Sequence, residues 1–267
     1  VQLHTRRSAL LLSLSGVPSE RIAAGAGSGR IIFALDFSGI SDARAFADRL
    51  GEGVGVLKVG LELFIASGGD AVVEAKKTHP VFLDLKLHDI PETVERAVIR
   101  AADLGASILT VHASGGKEML RRAAKVGTDR GVAIAAVTVL TSLDQSDLAD
   151  AGIHESVGVH ALRLARVAFD AGVRTFVCSP KEVRAMRGEL GHEATLITPG
   201  VRPAHHNSAE NKLSGDDQKR VATAHDAIAD GADYVVIGRP IRDAADPVAA
   251  AAGLAHEIEV AISCAGS

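Results

Sequence analysis

From residue 31 onward the chain repeats one unit. A short run of Val, Ile and Leu is followed by a longer, Ala-rich and charged segment with helical spacing. Runs at 31–37, 54–60, 81–87, 107–113, 133–140, 175–179, 195–201 and 234–240 read as strands. The segments 41–51, 63–78, 91–105, 117–130, 159–172, 180–191, 221–232 and 246–263 read as helices. Several carry end signals. In "SDARAFADRLG", Ser41 is expected to cap the helix and Gly51 to follow its last turn. Eight strands, each followed by a helix, over about 240 residues match the count and size of a (β/α)8 TIM barrel, an α/β fold. A doubly wound open sheet is the structural alternative. No linker or low-complexity break interrupts the repeat, so residues 31–267 are read as a single barrel domain and residues 1–30 as an N-terminal extension of unassigned role.

Composition narrows the classes of function. With 267 residues, 47% of them hydrophobic, the chain can bury a large core. Its formal net charge is -4, basic and acidic residues are interspersed, and aromatics make up 3%, which argues against a nucleic-acid partner. Cys178 and Cys264 have neither metal-ligand nor disulfide-framework spacing, and a cytoplasmic setting is the simpler account. No apolar run approaches the ~20 residues needed to span a bilayer, so no membrane partner is expected. Arg6 and Arg7 followed by a short apolar run superficially resemble a signal peptide; an amphipathic extension or an upstream-called start fits the rest of the chain better.

In a barrel of this kind, chemistry sits at the C-terminal ends of the strands, and phosphate often binds after strands 7 and 8. Polar residues gather there. Asp36 ends strand 1, Lys58 strand 2, Asp84 and Lys86 strand 3, and His112 strand 4; Thr141 and Ser142 follow strand 5, Arg202 follows strand 7, and Gly238 and Arg239 close strand 8. Any one of these could be an ordinary surface or capping residue. The stretch "FLDLKLHDIPET" is harder to explain that way. Asp84 and Lys86 lie two apart in an apolar run, so strand alternation points both to one face, and Asp89 follows before Pro91. A lone buried ion pair is commonly structural. Two lysines around one carboxylate instead hold ammonium groups charged and fixed, ready to stabilise an anion that forms during reaction, or to protonate it.

The other end of the barrel suits phosphate. "VVIGRPI" offers the close backbone approach of Gly238 and the forked donor Arg239, and "TPGVR" offers Arg202. The polar segment 203–220 is read as a lid with Gln218 reaching inward; a plain solvated loop is the bland alternative. The glycine pair of "VHASGG" is weak evidence for phosphate. His205 and His206 lack further ligands at metal spacing, and no GxGxxG follows strand 1.

The motifs "ALDF", "KVGLELF", "FLDLKLHDIPETV", "VHASGG", "AVTVLTS", "ITPGVR", "DQKRVAT" and "VIGRPI", in that order over residues 31 to 263, resemble the bacterial orotidine 5′-phosphate decarboxylase family. The resemblance implies decarboxylation of a pyrimidine nucleotide to UMP with neither metal nor organic cofactor. It implies that Lys86 protonates C6, that Asp84 stands beside the substrate carboxylate, and that Lys58 pairs with Asp84 and reaches the ribose. Asp36 is implied to bind a ribose hydroxyl, Thr141 and Ser142 the pyrimidine, and Arg202, Gln218, Gly238 and Arg239 the phosphate. It further implies a homodimer in which Asp89, Ile90 and Thr93 act in the neighbouring subunit's site. The rivals are a Mg-dependent phosphosugar decarboxylase or synthase barrel, which shares Asp84-x-Lys86-x-x-Asp89, and a non-catalytic phosphoribosyl-binding barrel.

Overall fold

In the computed structural model, residues 27–202 and 221–265 are described. The strands in chain order are β1 (Ile31–Ala34), β2 (Val56–Val59), β3 (Val81–Leu87), β4 (Ile108–His112), β5 (Ala133–Val137), β6 (Thr175–Val177), β7 (Thr195–Thr198), β8 (Val201–Arg202), β9 (Ala222–Thr223) and β10 (Tyr234–Ile237). Eight of them close a parallel barrel in the order β1-β10-β7-β6-β5-β4-β3-β2, while β8 and β9 form a separate parallel pair. Closure rules out the open sheet. The helices are α1 (Ile40–Leu50), α2 (Leu61–Ser67), α3 (Asp70–Ala75), α4 (Pro91–Leu104), α5 (Lys117–Arg130), α6 (Gln145–Asp150), α7 (Val157–Asp170), α8 (Pro180–Leu190), α9 (Ala224–Ala229), α10 (Arg239–Arg242) and α11 (Pro247–Ala265). Among the described residues, no helix is long and apolar enough to cross a membrane.

Local sequence explains most of the boundaries. Helix α1 buries Ala43, Ala47 and Leu50, spaced four and three apart on one face, and Gly51 follows with φ 50°. Ser41 is not its cap: the helix begins at Ile40 behind Gly39, and no side chain caps it. The expected single helix over 63–78 is two, because Gly68 at φ 59° ends α2 and the chain restarts after Gly69 as α3. Pro91 opens α4, where its missing N–H costs nothing. The expected strand over 195–201 stops at Thr198, and Gly200 turns the chain with φ 76° into β8. The helix expected from 221 starts only at Ala224, after β9.

Two apolar layers hold the barrel. Ile32, Val56, Phe82, Ile108, Ile197 and Tyr234 fill its interior. A much larger layer packs the outward faces of the strands, including Ile31, Phe33, Leu57, Leu83 and Leu109, against the helices. This double burial is why the strands read as continuous apolar runs. Ahead of β1, a short turn at Ser28–Arg30 is already docked, with the Gly27 N–H donating to Glu259 on α11 at 3.4 Å. Residues 1–26, the segment 203–220 and with it Gln218 lie outside the described residues.

Candidate active site

Side chains two apart along a strand share a face, so stepping two residues from the interior apolar layer gives the next layer toward the C-terminal rim. From Ile32, Val56, Phe82 and Ile108 that step reaches Ala34, Lys58, Asp84 and Thr110. Three polar groups thus sit where the core would otherwise continue. Two of them, Lys58 and Asp84, border a cavity of about 290 Å³ whose wall also includes Asp36, Lys86, Arg202 and Arg239. Thr141, Ser142 and Gly238 border the same cavity.

One face of the cavity is a chain of alternating charge. Lys86 Nζ lies 2.9 Å from both carboxylate oxygens of Asp84. Lys58 Nζ lies 3.7 Å from Asp84 Oδ2 and 3.4 Å from Asp36 Oδ1. Only 12% of the Lys58 side chain and 13% of the Asp84 side chain are exposed, against 29% for Lys86. A unit-charge pair at 4 Å is worth roughly 1 kcal/mol in water and about 4 kcal/mol at an effective dielectric near 20, so this burial decides how strongly the groups bind one another. Burial pushes the Asp84 carboxyl up. The ammonium groups of Lys58 and Lys86 and the hydrogen bonds from Lys86 and Thr110 outweigh it, and the carboxyl sits below its ordinary value. Gly60 keeps this corner open: a Cβ there would stand 3.0 Å from Lys58 Nζ and 3.5 Å from Asp36 Oδ1.

Strand β3 does not run regularly through the site. Leu83 stands opposite Leu109 and Leu87 opposite Val111, so Asp84, Leu85 and Lys86 face the single residue Thr110. Lys86 is the one non-glycine residue among those described with positive φ, at 50°. Its backbone N–H donates to Thr110 Oγ1 at 2.8 Å, and Thr110 Oγ1 donates to Asp84 Oδ1 at 2.9 Å. Regular alternation alone therefore does not account for the closeness of Asp84 and Lys86; a bulge folds them together.

The phosphate-type donors border the same cavity. Arg202 is buried, and its guanidinium donates to the Val201 carbonyl at 2.9 Å. Gly238 immediately precedes α10, and a Cβ there would crowd Ala34 at 3.3 Å and Asp36 at 3.5 Å. Arg242, on the same short helix, donates to the Asp36 carbonyl at 2.9 Å and so ties the loop after β1 to α10.

Asp89, Ile90 and Thr93 stand apart from this cavity. Asp89 is exposed and accepts from the Ile90 N–H at 2.6 Å; among the described residues no ion pair joins it to Lys58, Asp84 or Lys86. His112, expected only as a strand-end residue, packs its ring 5.4 Å from that of His88. Burial, then the charges of His88 and Lys86, push its imidazole below the ordinary value against the opposing pull of Asp84. Among the described residues no group of three or more His, Cys, Asp or Glu side chains is arranged to hold a metal ion.

Residues 29–254 match the family described as "Orotidine 5'-phosphate decarboxylase / HUMPS family". The chain belongs to this family. A curated relative from Anaeromyxobacter sp. (strain K), named orotidine 5'-phosphate decarboxylase, is 50% identical over 239 residues, covering 89% of this chain and 98% of the relative. Another of the same name from Thermobifida fusca is 48% identical over 232 residues, 86% and 95% of the two chains. The crystal structure of orotidine 5'-phosphate decarboxylase from Lactobacillus acidophilus superposes with a TM-score of 0.73 at 33% identity, covering 85% of this chain and 98% of that one. Membership of the orotidine 5'-phosphate decarboxylase / HUMPS family accounts for the (β/α)8 fold read from the repeat. Sequence reasoning did not single out Thr110 or Arg242. A threonine two residues beyond an interior isoleucine was the available signal for the first; nothing local marked the second.

Proposed function

We propose that the chain decarboxylates orotidine 5′-phosphate to UMP, the closing step of de novo pyrimidine nucleotide synthesis, as a cytoplasmic lyase that needs no cofactor. The observation that carries this reading is the Lys86 ammonium, held 2.9 Å from both oxygens of Asp84 on the wall of a cavity that also presents two arginines. In the proposed reaction the bond from C6 to the carboxylate breaks, CO2 departs, and the electron pair stays on C6 in an sp² orbital. A proton then passes from Lys86 Nζ to C6, and neutral Lys86 recovers a proton from water. The fixed ammonium stabilises the anion before it protonates it, so one group supplies both electrostatic stabilisation and general acid catalysis.

The remaining roles follow the chemistry of each group. Asp84 stands beside the departing carboxylate and holds both lysines in place by pairing with them. Lys58 and Asp36, 3.4 Å apart, suit the ribose hydroxyls. Thr141 and Ser142 suit the polar edge of the pyrimidine, and Arg202, Gly238 and Arg239, joined by Gln218, suit the phosphate. Binding energy from a phosphate remote from C6 can be used to stabilise the transition state. Asp89, Ile90 and Thr93 are assigned to the neighbouring site of a homodimer. The exposure of Ile90 at 66%, a large apolar side chain open to solvent in the single chain, supports a covered surface there.

The test is turnover of orotidine 5′-phosphate by the purified chain in chelator-treated buffer, followed by loss of substrate absorbance and formation of UMP. Turnover unaffected by the chelator is expected. No turnover would overturn the proposal, and turnover restored only by Mg²⁺ would overturn its cofactor-free part.

A further inference from the structure

We infer that Thr110 is a positioning residue for the proton donor: its single hydroxyl fixes both the backbone and the counter-ion of Lys86. The inference rests on the proposed role of Lys86 and extends it to a residue that borders no substrate. Thr110 is completely buried and stands opposite the bulge in β3. Its oxygen accepts from the Lys86 N–H at 2.8 Å, and the same hydroxyl lies 2.9 Å from Asp84 Oδ1. The direction of the second bond is fixed by chemistry. An ionised carboxylate only accepts, so the Thr110 proton must point to Asp84, leaving the Thr110 lone pairs for Lys86.

The result is a closed ring. Lys86 N–H donates to Thr110, Thr110 donates to Asp84, and Asp84 accepts the Lys86 ammonium. Each bond has a reason to need the others. The left-handed backbone at Lys86 is unfavourable for a side-chain-bearing residue by roughly 1–2 kcal/mol, so it persists only where its surroundings over-determine it. Without the hydroxyl, the Lys86 N–H would be left buried beside an apolar group, and the backbone would gain by relaxing toward an extended conformation. That relaxation would swing the ammonium away from Asp84 while leaving the phosphate end of the cavity unchanged. Thr110 therefore acts through Lys86, and its loss should appear in kcat more than in KM.

The experiment compares wild type, Thr110→Val, Thr110→Cys and Thr110→Ser in orotidine 5′-phosphate decarboxylation, with a full pH profile of kcat/KM for each. Valine keeps the size and shape of threonine and removes the hydroxyl. Loss of one hydrogen bond to a charged group predicts a fall in kcat of about 10- to 100-fold for Thr110→Val, with KM little changed. The acid limb of its profile should move to higher pH, because Asp84 loses a donor that favours its ionised form. Thr110→Ser, which retains both bonds, should restore kcat and the wild-type limb. Thr110→Cys, whose thiol donates and accepts weakly, should fall between them, and it carries the test if the valine variant does not fold. Wild-type kcat and pH profile in Thr110→Val or Thr110→Cys would overturn the inference, as would a serine variant no better than valine. An inactive wild type would instead overturn the functional reading on which it rests.

Discussion

Asp84 sets how the site answers to pH. Its carboxyl sits below the ordinary value in the folded chain, so it stabilises the fold above the unfolded carboxylate range, and that contribution is lost as pH falls through the lowered folded value. Asp84→Asn should flatten the acid-side decline of stability measured by urea titration across pH. It should also lower stability at neutral pH by about 3 kcal/mol, the low end for breaking a buried pair, since Lys86 retains some water contact. An unchanged pH slope would show that the carboxyl is not linked to folding. The charges themselves were legible: Lys58, Asp84 and Lys86 stood out because charged residues do not belong in apolar strands. Thr110 and the φ of Lys86 were not. Threonine is an ordinary strand former, and a bulge leaves no mark when the residue adopting the unusual backbone is not glycine.

At the scale of elements, the ends of helices were only partly written in local sequence. Helix α8 carries a complete capping box, in which Ser179 accepts from the Lys181 N–H at 3.3 Å and Glu182 accepts from the Ser179 N–H at 3.0 Å. Both residues are buried, so water cannot replace the bonds. Ser179→Ala should therefore cost about 1–2 kcal/mol in chemical denaturation, the upper part of the range for caps. A loss below a few tenths would show that the cap contributes little. Two of the boundaries missed from sequence share one cause. Between Gly68 and Gly69, and again at Pro199–Gly200, glycine lets the chain turn within an apolar pattern that runs on unbroken, so periodicity overruns the break. Ser41 failed as a cap because Gly39 already adopts the extended conformation of an N-cap, and the helix begins one residue before the serine.

At the scale of the molecule, eight repeats were enough to read the barrel, because parallel strands with helical crossovers leave few ways to cover both faces of the sheet. What the cavity of a single chain does not include is Asp89, the acid proposed to come from its neighbour. If Asp89 serves the other subunit, mixing inactive Lys86→Ala and Asp89→Asn chains should recover activity, since one site of the mixed dimer then holds both native groups. No recovery after subunit exchange would place Asp89 in its own chain's chemistry. The central claim is simpler: a fixed ammonium at position 86 makes the C6 anion tolerable and then quenches it. Single-turnover decarboxylation of orotidine 5′-phosphate by Lys86→Ala, set against wild type, measures that directly. Removing both the electrostatic and the acid contribution should slow the reaction by at least roughly 10⁴-fold with substrate still bound, whereas a rate within about tenfold of wild type would contradict the account.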